Sequence, residues 1–159
     1  MMAEKALVAE AAMLIHRPVA EVFEAFADPA VTTKFWFSKG SGRLEPGARL
    51  RWDWEMYGAG SWVTVEAVEP NRRILMTWDE DDPTTVEWLF EPRGEAATLV
   101  SATNSGFSGS PEVAVAKALD STGGFALLLA GAKIWLEHGL EPGFVVARHP
   151  DALVEGWRG

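Results

Sequence analysis

Residues 49–56 read Arg-Leu-Arg-Trp-Asp-Trp-Glu-Met, the most regular alternation of apolar and charged side chains in the chain. Successive side chains of a β-strand point to opposite faces of the sheet, so the apolar members share one face and the charged members share the other. A strand with one apolar and one charged face is typical of an antiparallel sheet that covers a core on one side. The apolar face would hold Leu50, Trp52, Trp54 and Met56.

Four further strand patterns follow, at residues 62–68, 74–78, 85–90 and 98–104, with short turns rich in Gly, Pro, Asn and Asp between them. Short turns join neighbouring antiparallel strands, so these patterns predict a five-stranded meander. An apolar run at residues 7–15 predicts one more strand, which makes about six. The side chains expected on the same inner face as Trp52 are Ile74, Met76 and Trp78, then Val86, Trp88 and Phe90, then Val100, Ala102 and Asn104.

Helix signals lie on both sides of the meander. After the first strand, Pro18 begins a short amphipathic segment, and Asp28 followed by Pro29 begins a second one toward Trp36. Near the carboxyl end, Ser110 and Pro111 are a cap and a first-turn proline, and they predict one helix of about 28 residues. Its inner glycines, Gly123, Gly124 and Gly131, either admit a bulky neighbour such as a Trp side chain or loosen the helix for a ligand.

Composition excludes several function classes. The chain has 159 residues and a net charge of −9, so nucleic acid and anionic membranes would be repelled on average. It has no cysteine and three scattered histidines, so we expect no metal and no cofactor. Residues 1–10 lack the long apolar run of a secretory signal or membrane anchor, and a cytoplasmic location is the expectation. Eight Trp against one Tyr indicate a need for wide apolar surface.

The order of strand, two short helices, meander and long helix is that of the α+β helix-grip fold, which START lipid-transfer domains and the birch pollen allergen share. Five local sequences resemble the activator of heat-shock-protein-90 ATPase homologue family, within the START-like SRPBCC superfamily. They are IHRPVAEVF at 15–23, PGARLRW at 46–52, EPNRRILMTW at 69–78, TNSGF at 103–107 and WLEHG at 135–139.

The resemblance implies a curved sheet wrapped on the long carboxy-terminal helix, with a cavity between them. It covers about residues 5–139, and we assign residues 1–139 to the domain. Residues 140–159, which extend past the usual domain end, are too apolar to be free, and we expect them to pack on the domain or on a partner subunit. Asn104 stands where the family commonly has His, so any role of that His does not transfer to this chain.

The inner aromatic residues are open to two interpretations, a solid core or the walls of an apolar pocket. With the pocket, the predicted function is binding of a small hydrophobic or aromatic ligand, with the Asn104 amide orienting a polar atom. The competing interpretation of Asn104 is a strand-end residue bonded to its own turn. The candidate ligand-binding residues are Trp36, Trp52, Trp54, Met56, Met76, Trp78, Trp88, Phe90, Asn104 and Leu128.

Two other functions remain alternatives. A cyclase-like or hydrolytic enzyme would need a buried carboxylate, and Glu66 or Glu87 would supply it if its strand turned that side chain inward. Asp53 and Glu55 are spaced like an acid–base pair, but they share a face with arginines and are typical of a solvated surface. The family name implies the other alternative, a co-chaperone that stimulates a heat-shock-protein-90 ATPase. Apolar surface on the long helix and the tail also predicts a homodimer.

Overall fold

A single antiparallel sheet carries the fold in the computed structural model, which describes residues 6–78 and 81–157. The strands are β1 (Val8–Ile15), β2 (Lys39–Gly40), β3 (Arg49–Trp54), β4 (Ala59–Glu69), β5 (Arg73–Trp78), β6 (Thr84–Pro92) and β7 (Thr98–Ser105). Their order in the sheet is β1-β7-β6-β5-β4-β3-β2, so only the pairing of β1 with β7 departs from a simple meander. Residues 1–5 of the amino-terminal segment and residues 79 and 80 of the predicted turn lie outside the described residues.

The helices are α1 (Val19–Ala27), α2 (Pro29–Thr32), α3 (Pro111–His138) and α4 (Phe144–Arg148), with 3-10 turns at Glu55–Tyr57 and Pro150–Ala152. The first three begin where the sequence predicts them. Asp28 caps α2 by accepting a hydrogen bond from the Ala30 N–H at 2.9 Å, and Ser110 caps α3 by accepting one from the Val113 N–H at 3.3 Å. Gly139 ends α3 in the left-handed conformation, at a φ of 68°.

The core lies between the inner face of the sheet and helices α1 and α3. Phe23 and Phe26 of α1 contact the ring of Phe90 edge-on, at centroid distances of 5.1 and 5.7 Å. From α3, Phe125 contacts the ring of Trp88 at 5.4 Å. The predicted inner sets of β5, β6 and β7 all face this side. The α+β helix-grip architecture is thus confirmed.

Three details differ from the sequence-based expectation. The prediction of about six strands misses β2, a two-residue strand that pairs Lys39 with Asp53. The alternation predicts that β3 continues to Met56, but Met56 lies in a 3-10 turn that ends at Gly58, where φ is 62°. Strand β4 begins earlier than predicted, at Ala59, and includes Gly60.

Gly60, near the start of β4, lies close to the Arg51 side chain. A Cβ at that position would lie 2.2 Å from Arg51 Nη2 and 2.5 Å from Asp53 Oδ1, so a larger residue would require these side-chain ends to shift. Arg51 then pairs with Asp53, with 3.2 Å between Nε and Oδ1. The sequence pattern assigns this glycine to a turn, whereas in the structure it serves the close approach of a side chain.

Helix α3 is long and apolar enough, by length and composition, to cross a membrane. Its inner stripe packs on the sheet instead, with Phe125, Leu128, Leu129 and Ala132 at most 3% exposed. This stripe makes α3 the long helix that covers the core of the sheet. The cytoplasmic location stays a prediction.

Candidate functional site

The cavity under α3

At one end of the sheet, side chains do not fill the space between its inner face and α3. A cavity of about 520 Å³ lies there, between the inner face of the sheet, α3 and the carboxy-terminal tail. That volume falls within the range of about 300 to 1,000 Å³ that is typical of small-molecule sites. Strand register explains the location, because Trp78 pairs with Thr84, and Asn104 is in register with Val86, so the cavity-lining ends of β5, β6 and β7 meet.

Aromatic rings form the apolar wall. The ring of Trp36, which follows α2, lies 6.0 Å from that of Trp54 and 5.8 Å from that of Trp78, measured between centroids. From α3, the Phe125 ring lies 5.9 Å from that of Trp78. Leu128 adds an aliphatic surface one helical turn further along α3. Such a wall favours flat apolar molecules, which it can contact face-on or edge-on.

A buried polar group interrupts that wall. Asn104 is 1% exposed, and its Nδ2 donates to Thr84 Oγ1 at 2.9 Å and to the Thr85 carbonyl at 2.8 Å. Its Oδ1 accepts a hydrogen bond from the Ser121 hydroxyl at 2.7 Å. Trp78 Nε1 also donates to Thr84 Oγ1, at 2.9 Å. Asn104 therefore joins two strands to α3 and does not bond to its own turn.

Charged side chains surround the mouth of the cavity in opposite-sign pairs. Lys117 Nζ lies 2.7 Å from Asp82 Oδ2, and the Ser108 hydroxyl donates to the same carboxylate. The Lys117 ammonium, with the Ser108 hydroxyl, holds the pKa of Asp82 below its usual value. Arg148 pairs with Asp120, with 3.1 Å between Nη2 and Oδ1. The mouth therefore presents no large excess of either charge.

The tail crosses the cavity and contributes Val145, Arg148 and His149 to its lining. The Tyr57 hydroxyl donates to the Val145 carbonyl, and the Val154 N–H donates to the Met56 carbonyl at 2.8 Å. These bonds attach the tail to the turn after β3. They hold the tail beside the cavity that the sheet and α3 also line.

Predicted and missed residues

The ten predicted ligand-binding residues divide into two groups by position. Trp36, Trp54, Trp78, Asn104 and Leu128 line the cavity. Trp52, Met56, Met76, Trp88 and Phe90 are 0 to 6% exposed and are not among its lining residues. The alternatives of a solid core and a pocket therefore each describe a different part of the same sheet face.

Sequence reasoning missed several lining residues. Thr84 continues the inner set of β6 two residues before Val86, and Ser121 lies four residues before Phe125 on α3. In both places a polar residue interrupts an apolar stripe, which is the signal that would have found them. Tyr57 and Arg148 carry no such local signal, because their positions depend on the path of the tail.

The carboxylates considered for catalysis lie outside the cavity. Glu66 is exposed because β4 turns Val63 and Val65 inward, so the inward orientation considered for Glu66 does not occur. Glu87 is bonded to Arg73, with 2.7 Å between its Oε2 and Arg73 Nε, on the face away from the core. Asp53 is paired with Arg51. The enzyme alternative therefore lacks the inward glutamate on which it depended.

The helix glycines contact residues other than Trp. A Cβ at Gly123 would lie 2.9 Å from Arg148 Nη2, and one at Gly131 would lie 3.0 Å from Pro142 Cγ and 3.4 Å from Phe35 Cβ. The interpretation of close approach holds for both positions, but packing against Trp is wrong. Within residues 6–78 and 81–157, no three His, Asp or Glu side chains are placed to hold a metal ion.

Relation to known proteins

Comparison with known proteins identifies the family. The sequence model of the activator of Hsp90 ATPase homolog 1-like protein family matches residues 16–127, which is more than half of the chain. A search of curated proteins found no significant match.

Among solved structures, a protein from Staphylococcus saprophyticus is 34% identical, with a TM-score of 0.72 over 85% of this chain and 95% of its own. The Aha1 dimer from Colwellia psychrerythraea is 19% identical, with a TM-score of 0.71 over 84% and 98%. A protein of the dynemicin biosynthetic locus is 24% identical, with a TM-score of 0.74 over 84% of this chain and 48% of its own. The last two similarities concern the fold alone.

The family match begins at His16, at the entry to α1, and ends within α3 at Leu127. It therefore includes strands β2 to β7 and the aromatic wall of the cavity, while β1 lies before it and the tail that lines the cavity lies beyond it. On the matched residues and the 34% identical structure, this chain belongs to the activator of Hsp90 ATPase homolog 1-like protein family.

Proposed function

We propose that this protein binds a small, flat, hydrophobic ligand in the cavity under α3. The observation that carries the proposal is a space of about 520 Å³ whose wall combines Trp36, Trp54, Trp78 and Phe125 with a buried polar group centred on Asn104. An apolar cavity with a few convergent polar atoms is the usual form of a small-molecule site. The family fold is consistent with this function.

Affinity in such a site comes mainly from apolar area removed from water, at about 25 cal/mol per Å². The aromatic wall is partly assembled before any ligand arrives, because the rings of Trp36, Trp54 and Trp78 already contact one another. A preformed wall lowers the entropy lost when these side chains are ordered on binding. The co-chaperone alternative stays a prediction that rests on the family resemblance.

Native mass spectrometry of the gently purified protein is the direct test, because it detects a bound small molecule of any chemical identity by its mass. The second test is titration with N-phenyl-1-naphthylamine, a neutral fluorescent probe that is bright in apolar sites. We expect saturable binding of one probe molecule per chain. Absence of both a copurified ligand and saturable probe binding would contradict the proposal.

Two tryptophans on neighbouring strands provide a matched pair of variants. Trp54 of β3 lines the cavity, whereas Trp62 of β4 lies on the opposite face beneath the Arg49 guanidinium, whose central carbon is 4.2 Å from the ring centroid. Trp54→Ala should weaken probe binding by about tenfold or more, since it removes a large part of one wall. Trp62→Ala should leave probe binding unchanged.

We also propose that the protein forms a homodimer. The first half of α3 exposes Val113, Val115 and Leu119, of which Leu119 is 69% exposed. Val115 and Leu119, four residues apart, share one helix face, whereas Val113 lies on another side of the helix. An exposed apolar pair of this kind is typical of a surface that another subunit covers. The related Aha1 protein from Colwellia psychrerythraea is described as a dimer, which supports the same arrangement here.

A further inference from the structure

The hydrogen bonds around Asn104 have a fixed direction, which determines what a ligand would meet there. Trp78 Nε1 can only donate, and so can Asn104 Nδ2, whose other partner is the Thr85 carbonyl. Thr84 Oγ1 therefore accepts two hydrogen bonds, one from each nitrogen at 2.9 Å. Two accepted bonds occupy both lone pairs of a hydroxyl oxygen. Thr84 therefore has only its hydroxyl proton left to form a further hydrogen bond.

Ser121 has the opposite arrangement. Asn104 Oδ1 can only accept, so the Ser121 hydroxyl donates its proton to that oxygen at 2.7 Å. The lone pairs of Ser121 Oγ remain, and no described residue donates to them. In the same way, no described residue accepts the proton of Thr84. Both residues line the cavity, and Thr84 is 9% exposed.

The polar part of the wall thus offers one proton donor, Thr84, beside one acceptor, Ser121. Both hydroxyls are bonded to the same Asn104 carboxamide, so they are neighbours in the wall. A hydroxyl group on the ligand accepts one hydrogen bond and donates another, and it can satisfy both. A carbonyl or ether oxygen can only accept, and a carboxylate would also bring a negative charge against the lone pairs of Ser121.

We propose that the ligand carries a neutral hydroxyl group on its apolar ring system, bound between Thr84 and Ser121. This inference rests on the proposed ligand-binding function and adds the polar group by which the cavity selects its ligand. The aromatic wall holds the ring, and the two hydroxyls set its orientation. An analogue with a group that cannot donate would leave the acceptor in the wall unpaired, which is costly when the ligand displaces water from that acceptor.

Three probes with the same ring and substituent position test the inference by isothermal titration calorimetry at neutral pH: 2-naphthol, 2-methoxynaphthalene and 2-methylnaphthalene. We expect 2-naphthol to bind about tenfold more tightly than either of the others. Equal affinities for all three would overturn the hydroxyl inference and leave the apolar site intact. Failure of all three to bind would overturn the hydroxyl inference, and only together with the absence of a copurified ligand and of saturable N-phenyl-1-naphthylamine binding would it overturn the proposed function as well.

Variants of the two hydroxyls make the test specific to this wall. Thr84→Val and Ser121→Ala should each reduce the preference for 2-naphthol to about twofold or less, whereas Thr84→Ser, which keeps the hydroxyl, should retain it. Thr122→Ala is the matched control on α3, because the Thr122 hydroxyl donates to the Ala118 carbonyl and does not line the cavity. A full preference in folded Thr84→Val and Ser121→Ala would contradict the proposal. The preference in the unmodified protein remains decisive if these variants do not fold.

Discussion

Trp52 and Trp54 lie two residues apart on the same face of β3 and have different surroundings. The Trp52 ring is 1% exposed and stacks on Phe37 at a centroid distance of 4.5 Å, with 20° between the planes. Trp54 is half-buried and borders the cavity. Their alternation is identical in sequence, so only the packing of α2 and α3 above them separates a core residue from a lining residue.

Replacement of Trp52 by Ala should lower the free energy of unfolding by about 3 to 5 kcal/mol, because a large buried side chain leaves a cavity. Trp54→Ala should cost clearly less stability, since its side chain already borders open space. Urea denaturation of both variants measures the difference. Equal losses of stability would show that the wall at Trp54 is as tightly packed as the core.

At the scale of elements, two glycines of α3 lie against different kinds of neighbour. Gly123 faces the end of the flexible Arg148 side chain, whereas Gly131 faces Pro142 and Phe35 in the interior. An added Cβ can displace the first neighbour at little cost but not the second. The two positions therefore predict opposite results for the same substitution.

Gly123→Ala should raise the free energy of unfolding by about 0.5 to 1 kcal/mol, because alanine is the better helix former and Arg148 can move aside. Gly131→Ala should lower it by about 1 to 2 kcal/mol, since overpacking outweighs the gain in helix propensity. Chemical denaturation gives both values. A stabilising Gly131→Ala would mean that Pro142 and the tail adjust freely.

The far end of α3 is joined to β1 through Glu137. Its Oε2 accepts hydrogen bonds from the His16 N–H at 2.9 Å and from Lys133 Nζ at 2.6 Å. Burial by itself would raise the pKa of Glu137, but the bonds from His16 and Lys133 outweigh it, and the pKa is lowered. The ionised form is therefore the one that stabilises the folded protein.

A lowered pKa contributes stability that is complete above the ordinary glutamate value of about 4.3 and is lost as the pH falls through the folded-state pKa. Glu137→Gln should thus lower the free energy of unfolding by about 1 to 2 kcal/mol at pH 7. The difference from the unmodified protein should shrink in acid. Denaturation at a series of pH values measures it, and a difference independent of pH would contradict a role for the charge.

At the scale of the whole molecule, local sequence patterns predict the strands and helices better than they predict the residues that line the cavity. The cap at Ser110, the proline after it and the period-two sets of β5 to β7 determine the elements and their inner faces, because these signals act within a few residues. The inward position of Asn104 is predictable for the same reason. Tyr57 and Arg148 are not, because contacts between the tail and distant elements place them.

The division of the inner face into core and cavity has the same origin. It depends on where α3 and the tail stop covering the sheet, and no alternation within a strand records that limit. Polar residues in apolar stripes are the partial exception, since Thr84 and Ser121 stand at the cavity end of β6 and in the middle of α3. Such interruptions are costly in a packed core and are therefore informative about a site.

The proposed homodimer leads to a prediction about mass and salt. Each chain carries a net charge of −9, so two chains repel each other at low ionic strength, and salt screens that repulsion. Sedimentation equilibrium should give twice the chain mass of 17.3 kDa at physiological salt, with weaker association at low salt.

Leu119→Lys should give the monomer mass, because it places a charge in the apolar contact. Glu95→Gln, at an exposed position between β6 and β7, makes the same change in net charge, from −9 to −8, away from α3 and so controls for charge alone. A monomer under all conditions would refute the dimer, and a dimer that Leu119→Lys leaves intact would place the interface on another surface.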